Sequence, residues 1–178
     1  DLVQRQFGDY SGRPYSLPGV RVHIGEARGF VVRHQESFDL IVVALLDTFA
    51  ASSAGLYALS ESYLYTTEGI AAYLDRLEPG GMLAITRWVS LPPRDVLKLF
   101  ATAAVALERR GVAEPGRRLA LIRSWKTATL IVKNGAFTAS EIASLEAFCR
   151  ARSFDADYYP GIAQDHANQY NILDESYF

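Results

Sequence analysis

The sequence predicts an open α/β sheet with right-handed crossovers, and three observations carry that prediction. The run Leu40-Ile41-Val42-Val43-Ala44 is continuously apolar and rich in branched side chains, the composition of a parallel strand covered on both faces. Strand-length apolar runs alternate with helical stripes along most of the chain. The last two runs, Leu119 to Ile122 and Thr127 to Val132, are separated only by Arg123, Ser124, Trp125 and Lys126, so they form a closing antiparallel pair.

Taken in order, Val3 and Phe7 lie four apart and Gly8 follows, the pattern of a helix already in progress that then ends. Val20-Arg21-Val22-His23-Ile24 alternates apolar and polar side chains, which predicts a strand near the sheet edge with one buried face. A short helix from Ala27 to about His34 follows. The run from Leu40 belongs in the middle of the sheet and needs partners on both edges, with inner neighbours expected upstream of Asp1. Between Ser60 and Leu77, Ile70, Leu74 and Leu77 share a helix face, Glu78-Pro79-Gly80-Gly81 reads as a turn, and Met82 to Thr86 is the next strand.

Pro92-Pro93 opens a helix whose stripe is Val96, Leu99, Phe100, Ala103 and Leu107, ended by Gly111. Thr138 and Glu141 have capping-box spacing before the apolar set Ile142, Leu145, Phe148 and Cys149. The expected organisation is one partial domain over residues 1–178, in which 134–178 forms a C-terminal helix and an irregular tail; a chain that begins inside a helix reads as a piece of something longer.

Composition narrows the function classes. With 178 residues, 49% hydrophobic and 21% charged, the chain suits one globular domain and not a disordered one. Its 18 basic and 20 acidic residues leave a net charge of -2, so no global field favours nucleic acid or an anionic membrane. Cys149 is the only cysteine, which excludes an intrachain disulfide framework and points to a reducing, cytoplasmic compartment. No apolar run approaches the roughly 18 residues of a membrane span, and no signal-peptide pattern occurs. His23, His34 and His166 lack metal-ligand spacing, so no metal is expected. Nucleophile-elbow and glycine-rich phosphate-loop motifs are missing as well.

In an open α/β sheet, ligands bind outside the carboxyl ends of the strands, which directs attention to the residues after each apolar run. Glu26 either accepts a hydrogen bond from an adenine amino group, with the Ala27 amide donating to a ring nitrogen, or caps the helix that begins there. Asp47, at the mouth of the Leu40 run, is a substrate anchor, a general base or a helix cap. Tyr57, Tyr63 and Tyr65 either line a pocket or pack as ordinary aromatic surface. Trp88 stacks on a ring, shields Arg87 or forms core rim.

The runs Val20-Arg21-Val22-His23-Ile24-Gly25-Glu26-Ala27-Arg28-Gly29-Phe30, Phe38-Asp39-Leu40-Ile41-Val42-Val43 and Glu78-Pro79-Gly80-Gly81-Met82-Leu83 together resemble the spermidine synthase-like branch of the class I S-adenosylmethionine-dependent methyltransferase fold. The resemblance covers roughly Asp1 to Lys133, with Glu61-Ser62-Tyr63 where that branch often has a polar residue before an aromatic one. It implies a Rossmann-like sheet, mostly parallel with an antiparallel closing pair and lacking its first strands. It also implies S-adenosylmethionine or its decarboxylated form as co-substrate, Glu26 and Ala27 at the adenine, and a small-molecule acceptor such as an amine near Asp47, Tyr57 and Tyr63. The branch's D-x-x-D is here Ala44-Leu45-Leu46-Asp47. Alanine accepts no proton, so methyl transfer is favoured over aminopropyl transfer and Asp47 is left as anchor or substitute base.

Because the glycine-rich loop of that branch would precede Asp1, the segment is expected to be inactive alone. The competing expectation is a catalytically degenerate nucleoside-binding, assembly or regulatory module of a larger membrane protein, able to form homo-oligomers. A nicotinamide-dependent oxidoreductase shares the sheet class but has no residue in its favour.

Overall fold

The computed structural model describes residues 5–45, 63–89 and 93–163. Within them the elements are α1 (Ala27–Arg33), β1 (Phe38–Val43), α2 (Thr67–Leu74), β2 (Leu77–Trp88), α3 (Arg94–Arg109), β3 (Leu119–Arg123), β4 (Thr127–Lys133), α4 (Ala139–Arg152) and β5 (Asp155–Tyr158). The strands form one sheet in the order β1-β2-β4-β3-β5.

Pairing in this sheet is mixed, not mostly parallel: β1–β2 is parallel, while β2–β4, β3–β4 and β3–β5 are antiparallel. The hairpin expected to close the sheet explains the difference. Its second strand, β4, inserts between β2 and β3, and β5 then adds antiparallel to β3. β1, β2 and β3 consequently run in one direction, and their carboxyl ends meet at one edge.

Strand alternation divides the interior into two layers. Leu119 and Leu121 of β3, with Leu130 and Val132 of β4 and Leu83 and Ile85 of β2, face Val31 of α1, Ile70, Tyr73 and Leu74 of α2, and Val96, Leu99, Ala103 and Leu107 of α3. Ala120 and Ile131 point the other way, toward Ile142 and Leu145 of α4. The α3 stripe is the one the sequence spacing predicts, and Gly111 follows it at φ +80°. α4 begins with the expected reciprocal box between Thr138 and Glu141.

Several expectations need correction. Val20–Ile24 forms no strand, and Val20, Val22 and Ile24 are exposed. Its alternation is genuine, but a strand also needs a neighbour for its backbone groups, and none of the described strands reaches it. Among the described strands β1 pairs with β2 alone, so the second partner that the Leu40 run needs is not within them, and Leu40 and Val42 are exposed. Glu78–Gly81 is not a turn but part of β2, at an irregularity where the register jumps from Phe38↔Leu77 to Leu40↔Met82. Gly80 there has φ +85°, and a Cβ on Gly81 would meet the Phe38 carbonyl oxygen at 2.9 Å. The first turn continues past Gly8, whose carbonyl accepts from the Arg13 amide, to a left-handed break at Gly12. Finally, the tail after α4 is not wholly irregular, because it contains β5.

Candidate functional site

Glu26 is the N-cap of α1. Its extended backbone turns the side chain onto the first helical turn, where one carboxylate oxygen accepts from the Arg28 amide at 2.8 Å and the other from Gly29 at 2.5 Å. The cap reading of Glu26 is therefore realised. It leaves the Ala27 amide outside the cap, and carboxylate oxygens keep further lone pairs for another donor.

Side-chain clamps hold α1 in place. Arg28 Nη1 donates to the Tyr63 carbonyl at 3.4 Å, while Arg76 donates from Nε to Val31 O at 3.3 Å and from Nη2 to Val32 O at 3.1 Å. A ladder of rings runs from His23 to Phe30 to His34 to Phe38, with successive centroids 4.7, 4.7 and 5.4 Å apart. It ties the segment before α1 to the start of β1.

These elements line an open cavity of about 1020 Å³. Glu26 and Ala27 line it together with Phe30 and Val31 of α1, Val43 and Ala44 at the carboxyl end of β1, and Tyr73 of α2. Apolar side chains make up most of its walls, and Arg21, His23, Arg33, His34 and Glu36 line it as well.

Tyr73 was not among the residues the sequence singled out; it sits in α2 beside Ile70 and Leu74 in the core. It is 1% exposed, and its hydroxyl is buried without a hydrogen-bond partner. Burial, reinforced by the negative charge of Glu26, pushes the phenol up to about 12. Leaving such a group unsatisfied costs about 1–3 kcal/mol.

The other predicted residues are placed differently. Tyr63 lies outside the cavity lining; the residue is 59% exposed, and its carbonyl accepts from Arg28 and from the Thr66 hydroxyl. Asp47 and Tyr57 fall outside the described residues, as do Glu61 and Ser62. Arg87 sets its guanidinium 4.2 Å from the Tyr65 ring centroid.

A second polar cluster sits at the carboxyl end of β3. Arg123 Nη2 lies 3.4 Å from Asp155 Oδ2 and 3.3 Å from Asp157 Oδ1, with all three side chains largely buried. Burial raises the Asp157 carboxyl although Arg123 opposes the shift. The sequence signal for this cluster was weak, since Asp155-Ala156-Asp157 does not look like a strand.

Among the described residues no three His, Cys, Asp or Glu side chains gather as a metal-ligating group, and no helix is long and apolar enough to cross a membrane.

No family model matches the sequence, and no curated protein matches it. Solved structures do. A spermidine synthase in complex with the transition-state analogue AdoDATO is 17% identical with a TM-score of 0.51, covering 78% of this chain and 44% of its own. The spermidine synthase from Thermotoga maritima is also 17% identical, with a TM-score of 0.50, 78% coverage of this chain and 43% of its own. The chain thus has a spermidine synthase-like fold, and it spans less than half the length of these structures.

Proposed function

We propose that the cavity beside Glu26 binds the adenine nucleoside part of an S-adenosylmethionine-type donor and that the chain serves group transfer, with methyl transfer favoured over aminopropyl transfer. The carrying observation is that Glu26, Ala27 and the carboxyl end of β1 line one cavity. Its support is the fold shared with a spermidine synthase whose structure holds AdoDATO.

In this reading the Glu26 carboxylate accepts from the exocyclic amino group while still capping α1, and the Ala27 amide donates to a ring nitrogen. The apolar side chains exclude water from the ring. Asp47, with Tyr57 and Tyr63, attends a small acceptor such as an amine. The acceptor's lone pair forms the new bond to carbon, and the carbon–sulfur bonding pair leaves with sulfur as a neutral thioether, so placement matters more than a strong base. That chemistry tolerates Ala44, which accepts no proton.

Ala44 also favours a second reading, a catalytically degenerate nucleoside-binding or assembly module. Calorimetric titration with S-adenosylmethionine, its decarboxylated form and methylthioadenosine separates the two when combined with a turnover assay. Tightest binding of S-adenosylmethionine with methyl transfer to an amine supports the first reading. Nucleoside binding without transfer to any amine supports the second, and preference for the decarboxylated donor reverses the order of methyl and aminopropyl transfer. Failure to bind all three rejects the nucleoside site.

A further inference from the structure

We infer that the open cavity beside β1 is a slot for a strand: it takes up an extended segment of a partner chain, apolar on both faces and acidic at one end, which pairs with β1. The cavity follows β1 along its length, from Phe38 at one end to Val43 and Ala44 at the other. Its opposite wall is the segment before α1, where Gly19, Arg21, His23 and Gly25 line it while Val20 and Val22 do not. Apart from Ile24, which also reaches the gap, every second residue faces it, as in a strand. Neither wall is paired across the gap by a described strand. The Phe38 amide bonds to the Arg76 carbonyl on the β2 side, so the amides of Asp39, Ile41 and Val43 point away from β2 toward the gap.

A row of strand donors and acceptors is matched by another strand, with main-chain hydrogen bonds giving affinity and alternate side chains giving selectivity. The surroundings state what that strand must carry. Leu40 and Val42 on one wall, and Val20, Val22 and Ile24 on the other, are exposed, while Phe30 and Val31 of α1 line the helix side. A strand laid between them meets apolar side chains on both faces. Charge marks one end. Glu36 lies 3.4 Å from His34, and Glu26 caps α1, whereas Arg21 and Arg33 line the cavity with no ion pair among the described residues. An acidic residue near one end of the strand complements these two guanidinium groups. Because the strand lies alongside Phe38–Val43, Glu26 and Ala27 stay open to a nucleoside, and the slot does not depend on the nucleoside reading.

The test uses a synthetic peptide with the sequence of residues 38–44, apolar except for the acidic residue near its start and carrying a short lysine tail for solubility. It is added to the 178-residue chain, and hydrogen–deuterium exchange is followed residue by residue. Exchange at the amides of Asp39, Ile41 and Val43 should slow by about tenfold or more, with little change at Leu40 and Val42, which already face β2. A fully N-methylated version of the peptide keeps every side chain but has no backbone donors, and it should protect nothing. Equal protection by both peptides would overturn strand pairing in favour of plain apolar contact. Protection by neither would overturn the slot. Where copies of the chain hold this side of β1 among themselves, the unmethylated peptide should separate them in sedimentation velocity; copies that it fails to displace would make a second copy the occupant and overturn the partner strand.

Discussion

Lys133 Nζ lies 2.6 Å from each carboxylate oxygen of Glu141, so one buried ammonium group joins the end of β4 to the N-terminal box of α4. Lys133 is 6% exposed and also donates to the Ala136 carbonyl at 3.1 Å. Glu141 in turn accepts from the Thr138 amide at 2.7 Å. One carboxylate thus satisfies both a buried cation and a helix cap.

Replacing Glu141 by Gln should cost about 1.5–3 kcal/mol, because it weakens a charged hydrogen bond and strands the ammonium group. The Lys133 hydrogen bond first, and the Thr138 amide second, hold the Glu141 carboxyl down at about 2 from an ordinary 4.5. A depressed folded-state value gives stabilisation that is present above the unfolded value and lost as pH falls through the folded one. Urea unfolding of wild type and Glu141→Gln should converge between pH 4.5 and about 2. A gap that stays constant across that window would refute the linkage.

Arg123 serves two carboxylates, which makes the substitutions at this cluster unequal. Arg123→Met leaves two buried acids without their cation and should cost about 3–5 kcal/mol. Asp157→Asn removes the acid whose carboxyl burial raises, so at neutral pH it should be neutral or stabilising. A raised folded-state value means that the wild type gains relative stability as pH falls through it. Any advantage of Asp157→Asn should therefore shrink in mild acid, and denaturant melts at several pH values would reveal it.

Glu26 carries a cap whether or not it meets a ligand, and two substitutions separate the roles. Glu26→Ala should lower stability by about 0.5–2 kcal/mol through loss of the cap. It should also weaken methylthioadenosine binding by about 1.5–3 kcal/mol. Glu26→Ser keeps a capping oxygen and should restore the melting temperature without restoring affinity. Wild-type affinity in Glu26→Ser would reduce Glu26 to a cap.

The exposed flank of β1 predicts self-association. Val42 is 59% exposed on a strand with one unpaired edge among the described residues. Val42→Lys should lower association in sedimentation velocity with little change in melting temperature. A wild type that stays monomeric at every concentration would contradict this.

Much of the layered architecture was legible because its signals are local. The α3 stripe repeats every three or four residues, the Thr138–Glu141 box lies within one turn, and the hairpin is separated by four residues. What was not legible depends on partners distant in sequence. Val20–Ile24 carries a strand pattern with no neighbour among the described strands, whereas β5 lacks the pattern and exists through its ladder with β3 and the Arg123 cluster. The insertion of β4 between β2 and β3 is a choice among sheet orders that periodicity does not make. At the site, Glu26 and Ala27 could be read from their place before a helix. Tyr73 could not, because its lone hydroxyl becomes visible only once its neighbours are known.

The position of β1 at one side of the described strands also sets how its backbone meets solvent. The Phe38 amide bonds to the Arg76 carbonyl at 2.8 Å, so by alternation the amides of Leu40 and Val42 point toward β2 while those of Asp39, Ile41 and Val43 point outward. Hydrogen–deuterium exchange along this strand should accordingly alternate slow and fast from residue to residue, a signature that would vanish in any assembly that zips onto the open side.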